Sequence, residues 1–157
     1  MLLTPHTLVG TAIALSIPNP IIAIPTSLIF HFLGDLMPHW DFFTNNEREK
    51  RFRGWVPIAI MADMSFGVAI GVGFTLYAYW FLGGTLSALN VFACGIASVL
   101  PDILTGPSIY MENVHPFFNA VHKLQSKLQT SANPPLGIIT QLVVIIVSLY
   151  LILHSLV

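Results

Sequence analysis

Residues 55–82 read WVPIAIMADMSFGVAIGVGFTLYAYWFL, an apolar run in which Asp63 is the one ionisable side chain besides the tyrosines. At a helical rise of about 1.5 Å per residue this segment exceeds the roughly 30 Å hydrocarbon core of a bilayer, so it reads as a transmembrane helix. The composition agrees. Of 157 residues, 55% are hydrophobic and 8% charged, and the mean hydropathy is +0.78. That is not the make-up of a soluble domain. The expectation is an all-α, polytopic membrane helical bundle forming a single membrane domain over 1–157, with about five membrane helices plus one amphipathic interfacial helix.

Working outward from this run, Gly83-Gly84 closes it, and Leu86 to Leu100 is the next apolar segment, expected to end at Pro101-Asp102. Beyond the Gly106-Pro107 break, apolar residues at Val114, Phe117, Phe118, Val121, Leu124 and Leu128 keep the spacing of one helical face, with Lys123 and Lys127 opposite. An interfacial helix over about 114–130 follows from that pattern. Asn133-Pro134-Pro135 ends it, and Leu136 to Val157 is a last uncharged span. On the N-terminal side, Thr4 is the expected cap and Pro5 the first residue of a short apolar helix running to Ile17. Pro18-Asn19-Pro20 turns the chain into a second segment, Ile21 to Met37. No Lys or Arg precedes the first segment and no small-residue cleavage site follows it, so the segment is expected to stay in the mature chain.

Four of the six Lys and Arg residues (Arg48, Lys50, Arg51 and Arg53) lie between Phe42 and Gly54. Their excess places that loop, and the one bearing Lys123 and Lys127, on the cytoplasmic side of an inner membrane, with the N-terminus inside and the C-terminus outside. Membrane lipid is the expected partner, with anionic lipid beside the basic run. A net charge of −1 gives no case for nucleic acid. Cys94 is the lone cysteine, which rules out a disulfide framework or a thiolate zinc site.

The chemistry is concentrated in His31-Phe-Leu-Gly-Asp35-Leu-Met-Pro-His39-Trp-Asp41. His31 and Asp35 are one helical turn apart on one face. Pro38 ends the helix, so His39 and Asp41 sit on a turn that folds back towards that face. With this orientation His6, Asp35, His39, Asp41, Asp102, His115 and His122 all fall at the cytoplasmic edge, and His31 and Asp63 lie deeper at matching depth. A carboxylate inside a membrane segment needs a partner, and His31 is the expected one for Asp63, through a shared metal or a direct hydrogen bond. Imidazole and carboxylate together suit zinc first, and also manganese or iron. The expected metal set is therefore His6, His31, Asp35, His39, Asp63 and Asp102, with His115 and His122 suited equally to ligation or to a place at the interface. His6-x-x-x-Gly10 is echoed by Asp63-x-x-x-Gly67, and Met37-Pro38-His39 by Leu100-Pro101-Asp102, the pattern of a duplicated helical hairpin.

Thr4-Pro5-His6-Thr-Leu-Val-Gly10 and Gly34-Asp-Leu-Met-Pro38-His39-Trp-Asp41-Phe42 resemble two motifs of the bacterial membrane-bound metal-dependent hydrolases, also described as LexA-binding, inner membrane-associated hydrolases. This chain has His39 in place of that family's first Asp and Phe42 in place of its His, and it lacks a His-Arg-Gly-x-Thr-His-Ser stretch. The resemblance implies a small multi-span hydrolase. Together with the clustered ligands it leads to the expectation of a metal-dependent hydrolase using one or two divalent ions on a phosphate ester or lipid head group. Asp41 would act as general base, and His122 and Lys123 would meet the head group. The alternatives are a metal- or proton-handling transport protein, or a small membrane scaffold with a structural metal.

Overall fold

A computed structural model describes residues 1–42 and 53–157. Arg48, Lys50 and Arg51, which carry much of the orientation reading, lie outside the described residues. Six helices follow one another: α1 Leu3–Ser16, α2 Pro20–Leu36, α3 Val56–Phe81, α4 Thr85–Tyr110, α5 Pro116–Leu128 and α6 Leu136–Ser155. Among the described residues there is no β-strand, only an isolated backbone pairing of His39 with Ser131. The all-helical architecture is as expected. Three helices, α3, α4 and α6, are long and apolar enough to cross a membrane, while α2 is a shorter apolar helix of 17 residues and α1 has 14.

Local chemistry explains the helix ends. Asn19 accepts a hydrogen bond from Ile21 N at 3.0 Å and Pro20 occupies the first helical position, so α2 starts where a cap and a pre-set φ coincide. The start of α1 differs from the sequence reading. Leu2, not Thr4, flanks the helix and offers no side-chain cap. The cap comes from another helix: Asp63 accepts from Leu3 N at 2.7 Å and from Thr4 N at 3.3 Å. Another difference lies in α4, which continues through Pro101 and Pro107 to Tyr110. Proline removes one backbone donor and costs about 3 kcal/mol in a helix interior, but α4 packs on α1, α2, α3 and α5, which hold it in line. The two echoed proline turns are thus unlike: Pro38 follows the end of α2, whereas Pro101 is inside α4. Gly83 and Gly84, with φ of 122° and 73°, make the α3–α4 turn in a region that favours glycine.

α1 and α4 form the centre, α1 packing on α2, α3, α4 and α6. Half of the apolar stretch of α4 is inside the bundle, against 11% for α3, whose Ile58, Met61, Phe66 and Phe81 face outward. The interior is unusually polar: His6, His31, Asp35 and His39 are all fully buried. Apolar outside and polar inside is the arrangement a bilayer favours, since lipid solvates Leu and Phe but not carboxylate.

The α1–α4 contact is close at Gly10, where a Cβ would lie 2.6 Å from Ser98 Oγ and 2.7 Å from the Cys94 carbonyl. Backbone cannot give way there. Gly10→Val is therefore expected to destabilise by about 1–3 kcal/mol, read as a lower unfolding temperature in detergent. Gly73→Ala, with no neighbour within 4 Å, should leave that temperature unchanged or raise it. Equal effects of the two would contradict the packing described.

Candidate metal centre

The start of α1, the end of α2, the latter half of α4, and α5 meet at one end of the bundle, and each contributes to a single polar cluster. Asp35 is at its middle. Its Oδ1 is 3.2 Å from His6 Nε2 and 3.8 Å from His39 Nε2, and its Oδ2 is 3.5 Å from His31 Nε2. The Met1 nitrogen lies 2.5 Å from Oδ1. Asp102 faces His6 and His31, each at 3.9 Å, and the His6 and His31 rings stack with centroids 4.1 Å apart. Ligand atoms of His6, His31 and Asp102 lie within 4.8 Å of one another, so these three could hold a metal ion.

The tautomers follow from the backbone. His31 Nδ1 is 2.8 Å from the Ser98 carbonyl and His39 Nδ1 is 2.9 Å from the Met37 carbonyl. A carbonyl only accepts, so each Nδ1 carries the hydrogen and each Nε2 presents a lone pair to Asp35. Orientation of an imidazole by a backbone carbonyl is the usual support behind a metal-ligating histidine. Lone pairs facing a carboxylate need a cation or a donor between them. Burial holds the His39 imidazole below the ordinary histidine value of 6.5, which keeps it neutral and able to ligate at pH 7.

The sequence reading missed two glutamines. Gln125 Nε2 is 2.5 Å from Asp102 Oδ1, 3.3 Å from Asp35 Oδ2 and 3.5 Å from His31 Nε2. One turn on, Gln129 Nε2 is 2.7 Å from Asp41 Oδ2 and 3.1 Å from His39 Nε2. Their i, i+4 spacing in α5 is legible, but Gln125 lies within the apolar stripe, between Val121 and Phe118 on the helical wheel, where a neutral amide gives no signal of its own. One edge of that stripe is turned outward, with Phe117 and Leu124 exposed, while Phe118, Val121 and Leu128 are half-buried and Gln125 is buried. Gln125 Oε1 and His6 Nδ1 are buried without a hydrogen-bond partner.

His39 reaches the cluster as the sequence predicts, because the segment after Pro38 pairs with the one after α5: His39 N donates to the Thr130 carbonyl and Ala132 N to that of His39. Asp63 does not pair with His31; its carboxylate caps α1. It nevertheless lines the same cavity as Asp41, Asp102, His122 and Gln125, a space of about 600 Å³ whose apolar wall includes Ile60, Met64 and Ile103. Lys123 is exposed and not part of that lining, and exposed His115 caps α5 by accepting from Phe117 N at 3.3 Å. No family model, curated protein or solved structure matches the chain.

Two outcomes follow. Asp102→Asn should remove most bound metal, whereas Asp63→Asn should keep it and lower stability by about 1 kcal/mol through a weaker α1 cap, as metal analysis and thermal melts will show. Because the folded state resists protonating His39, that residue supports folding above 6.5 and opposes it increasingly as pH falls below. Metal-stripped protein should therefore lose stability on acidification through this range, and His39→Gln should lose less.

Proposed function

We propose that the chain is a membrane-embedded metal-dependent hydrolase acting at the cytoplasmic leaflet on a phosphate ester or lipid head group. The observation that carries this reading is the convergence of His6, His31 and Asp102 around buried Asp35, beside a cavity that Asp102 lines and that has one apolar wall. A divalent ion, zinc or manganese by ligand type, would supply Lewis acidity and a more acidic water. The residues do the rest. His6, His31, Asp35 and Asp102 hold the ion, and the Ser98 and Met37 carbonyls keep the His31 and His39 lone pairs aimed inward. Asp41 and His122 stand at the cavity, within reach of a head group. Ile60, Met64 and Ile103 offer an acyl chain an apolar path.

The transport alternative has less support. Towards the far end of the bundle the buried Ser27 and Ser98 hydroxyls bond carbonyls of their own helices, and Asn90 bonds the Ala14 and Ile17 carbonyls. The other buried polar side chains on that route are Thr11 and Cys94, whose Sγ donates to Asn90 Oδ1; no His, Asp, Glu, Lys or Arg stands among these residues.

Elemental analysis of protein purified in detergent without chelator should find at least one equivalent of a transition metal; less than about 0.2 equivalents would count decisively against a multi-ligand site. Reconstituted with mixed phospholipids, the loaded protein should release phosphate or a phosphorylated head group, and His31→Gln should abolish release. A reporter fused after Val157 should be extracytoplasmic and one inserted at Asn46 cytoplasmic.

A further inference from the structure

Gln125 and Gln129 are one turn apart, and each places an amide nitrogen where several acceptors converge. At Gln125 these are His31 Nε2, Asp102 Oδ1 and Asp35 Oδ2; at Gln129 they are His39 Nε2 and Asp41 Oδ2. The two settings share a construction. Each has an imidazole whose Nδ1 is fixed on a backbone carbonyl and whose Nε2 points inward, and each has a carboxylate oxygen beside it. Between them stands Asp35, with Oδ2 3.5 Å from His31 Nε2 and Oδ1 3.8 Å from His39 Nε2, Oδ1 being also 3.2 Å from His6 Nε2 and 2.5 Å from the Met1 nitrogen. A carboxylate presenting one oxygen to each of two ligand groups is the usual bridge in a two-metal centre, whose ions are about 3.5–4 Å apart.

We infer that the centre holds two divalent cations bridged by Asp35, the second bound by His39 and Asp41, with α5 supplying an amide to each position. This rests on the metal-hydrolase reading and extends it.

Charge is compatible with a second ion. With the histidines neutral, Asp35, Asp41 and Asp102 are balanced by a single divalent ion together with the Met1 nitrogen, which lies 2.5 Å from Asp35 Oδ1, and a second ion makes the centre positive towards a phosphate. None of the residues lining the cavity is Lys or Arg. Gln125 Oε1 and His6 Nδ1 are buried without a hydrogen-bond partner, so the polar groups at this end of the bundle do not all satisfy one another. In this arrangement Asp41 is a ligand, and the role of general base passes from it.

The test uses the full chain in detergent, loaded with Mn²⁺ and freed of excess. The expected result is about two equivalents per chain and an exchange-coupled electron paramagnetic resonance spectrum. Asp41→Asn and His39→Gln should each fall to about one equivalent with the simple six-line signal of an isolated Mn²⁺. Wild-type protein that holds one equivalent with a six-line signal overturns the two-ion inference and leaves the single-metal reading standing. Wild-type protein that holds none overturns both. The wild-type spectrum decides the matter even if a variant fails to fold.

Discussion

The burial of the Asp35 carboxylate is the constraint from which most of the structure follows. A carboxylate withdrawn from water is costly unless donors or cations surround it, and Asp35 is fully buried. Its company comes from everywhere: His6 from α1, His31 from its own helix, His39 from the following turn and Gln125 from α5. Its backbone carbonyl also accepts from Thr130 N, which ties down the segment after α5. Assembling the chemistry and closing this end of the bundle are therefore one event.

Elsewhere the helices meet through small residues rather than a large apolar core. Ala14, Ala23, Ala78 and Cys94 form one contact region, and Leu8, Ala12 and Ile152 another. The alanines let backbones approach, and helix association then relies on van der Waals packing and a few interhelical hydrogen bonds. Asn90 is such a bond, donating to the Ala14 and Ile17 carbonyls at 3.0 Å and satisfying acceptors that the end of α1 leaves open.

Periodicity made the helices legible, because an apolar run as long as Trp55 to Leu82 has few other ways to fold. The His31/Asp35 pair was legible for the same reason, since spacing within one helix fixes both height and face. Asp63 shows where such reasoning stops. Helical rise placed it level with His31, but how α3 sits against its neighbours is set by tertiary packing, which brings the carboxylate to the first turn of α1. Pro101 misled in a related way: proline weakens an isolated helix, whereas α4 is clasped on several sides. Gln125 and Gln129 escaped notice because a neutral amide carries no chemical signature until its neighbours are known.

The unequal helix lengths carry a consequence for what can reach the cluster. α1 begins, and α2 ends, beside the ligands, whereas α3 has Val56–Ala62 before Asp63 and α4 has Ile103–Tyr110 after Asp102. At about 1.5 Å per residue those extensions rise roughly 10–12 Å beyond Asp63 and Asp102. The helices thus act as a depth gauge: on the hydrolase reading proposed above, a scissile bond would have to be carried on a group slender enough to descend that far, a condition that single head groups meet and that folded proteins and duplex nucleic acids do not.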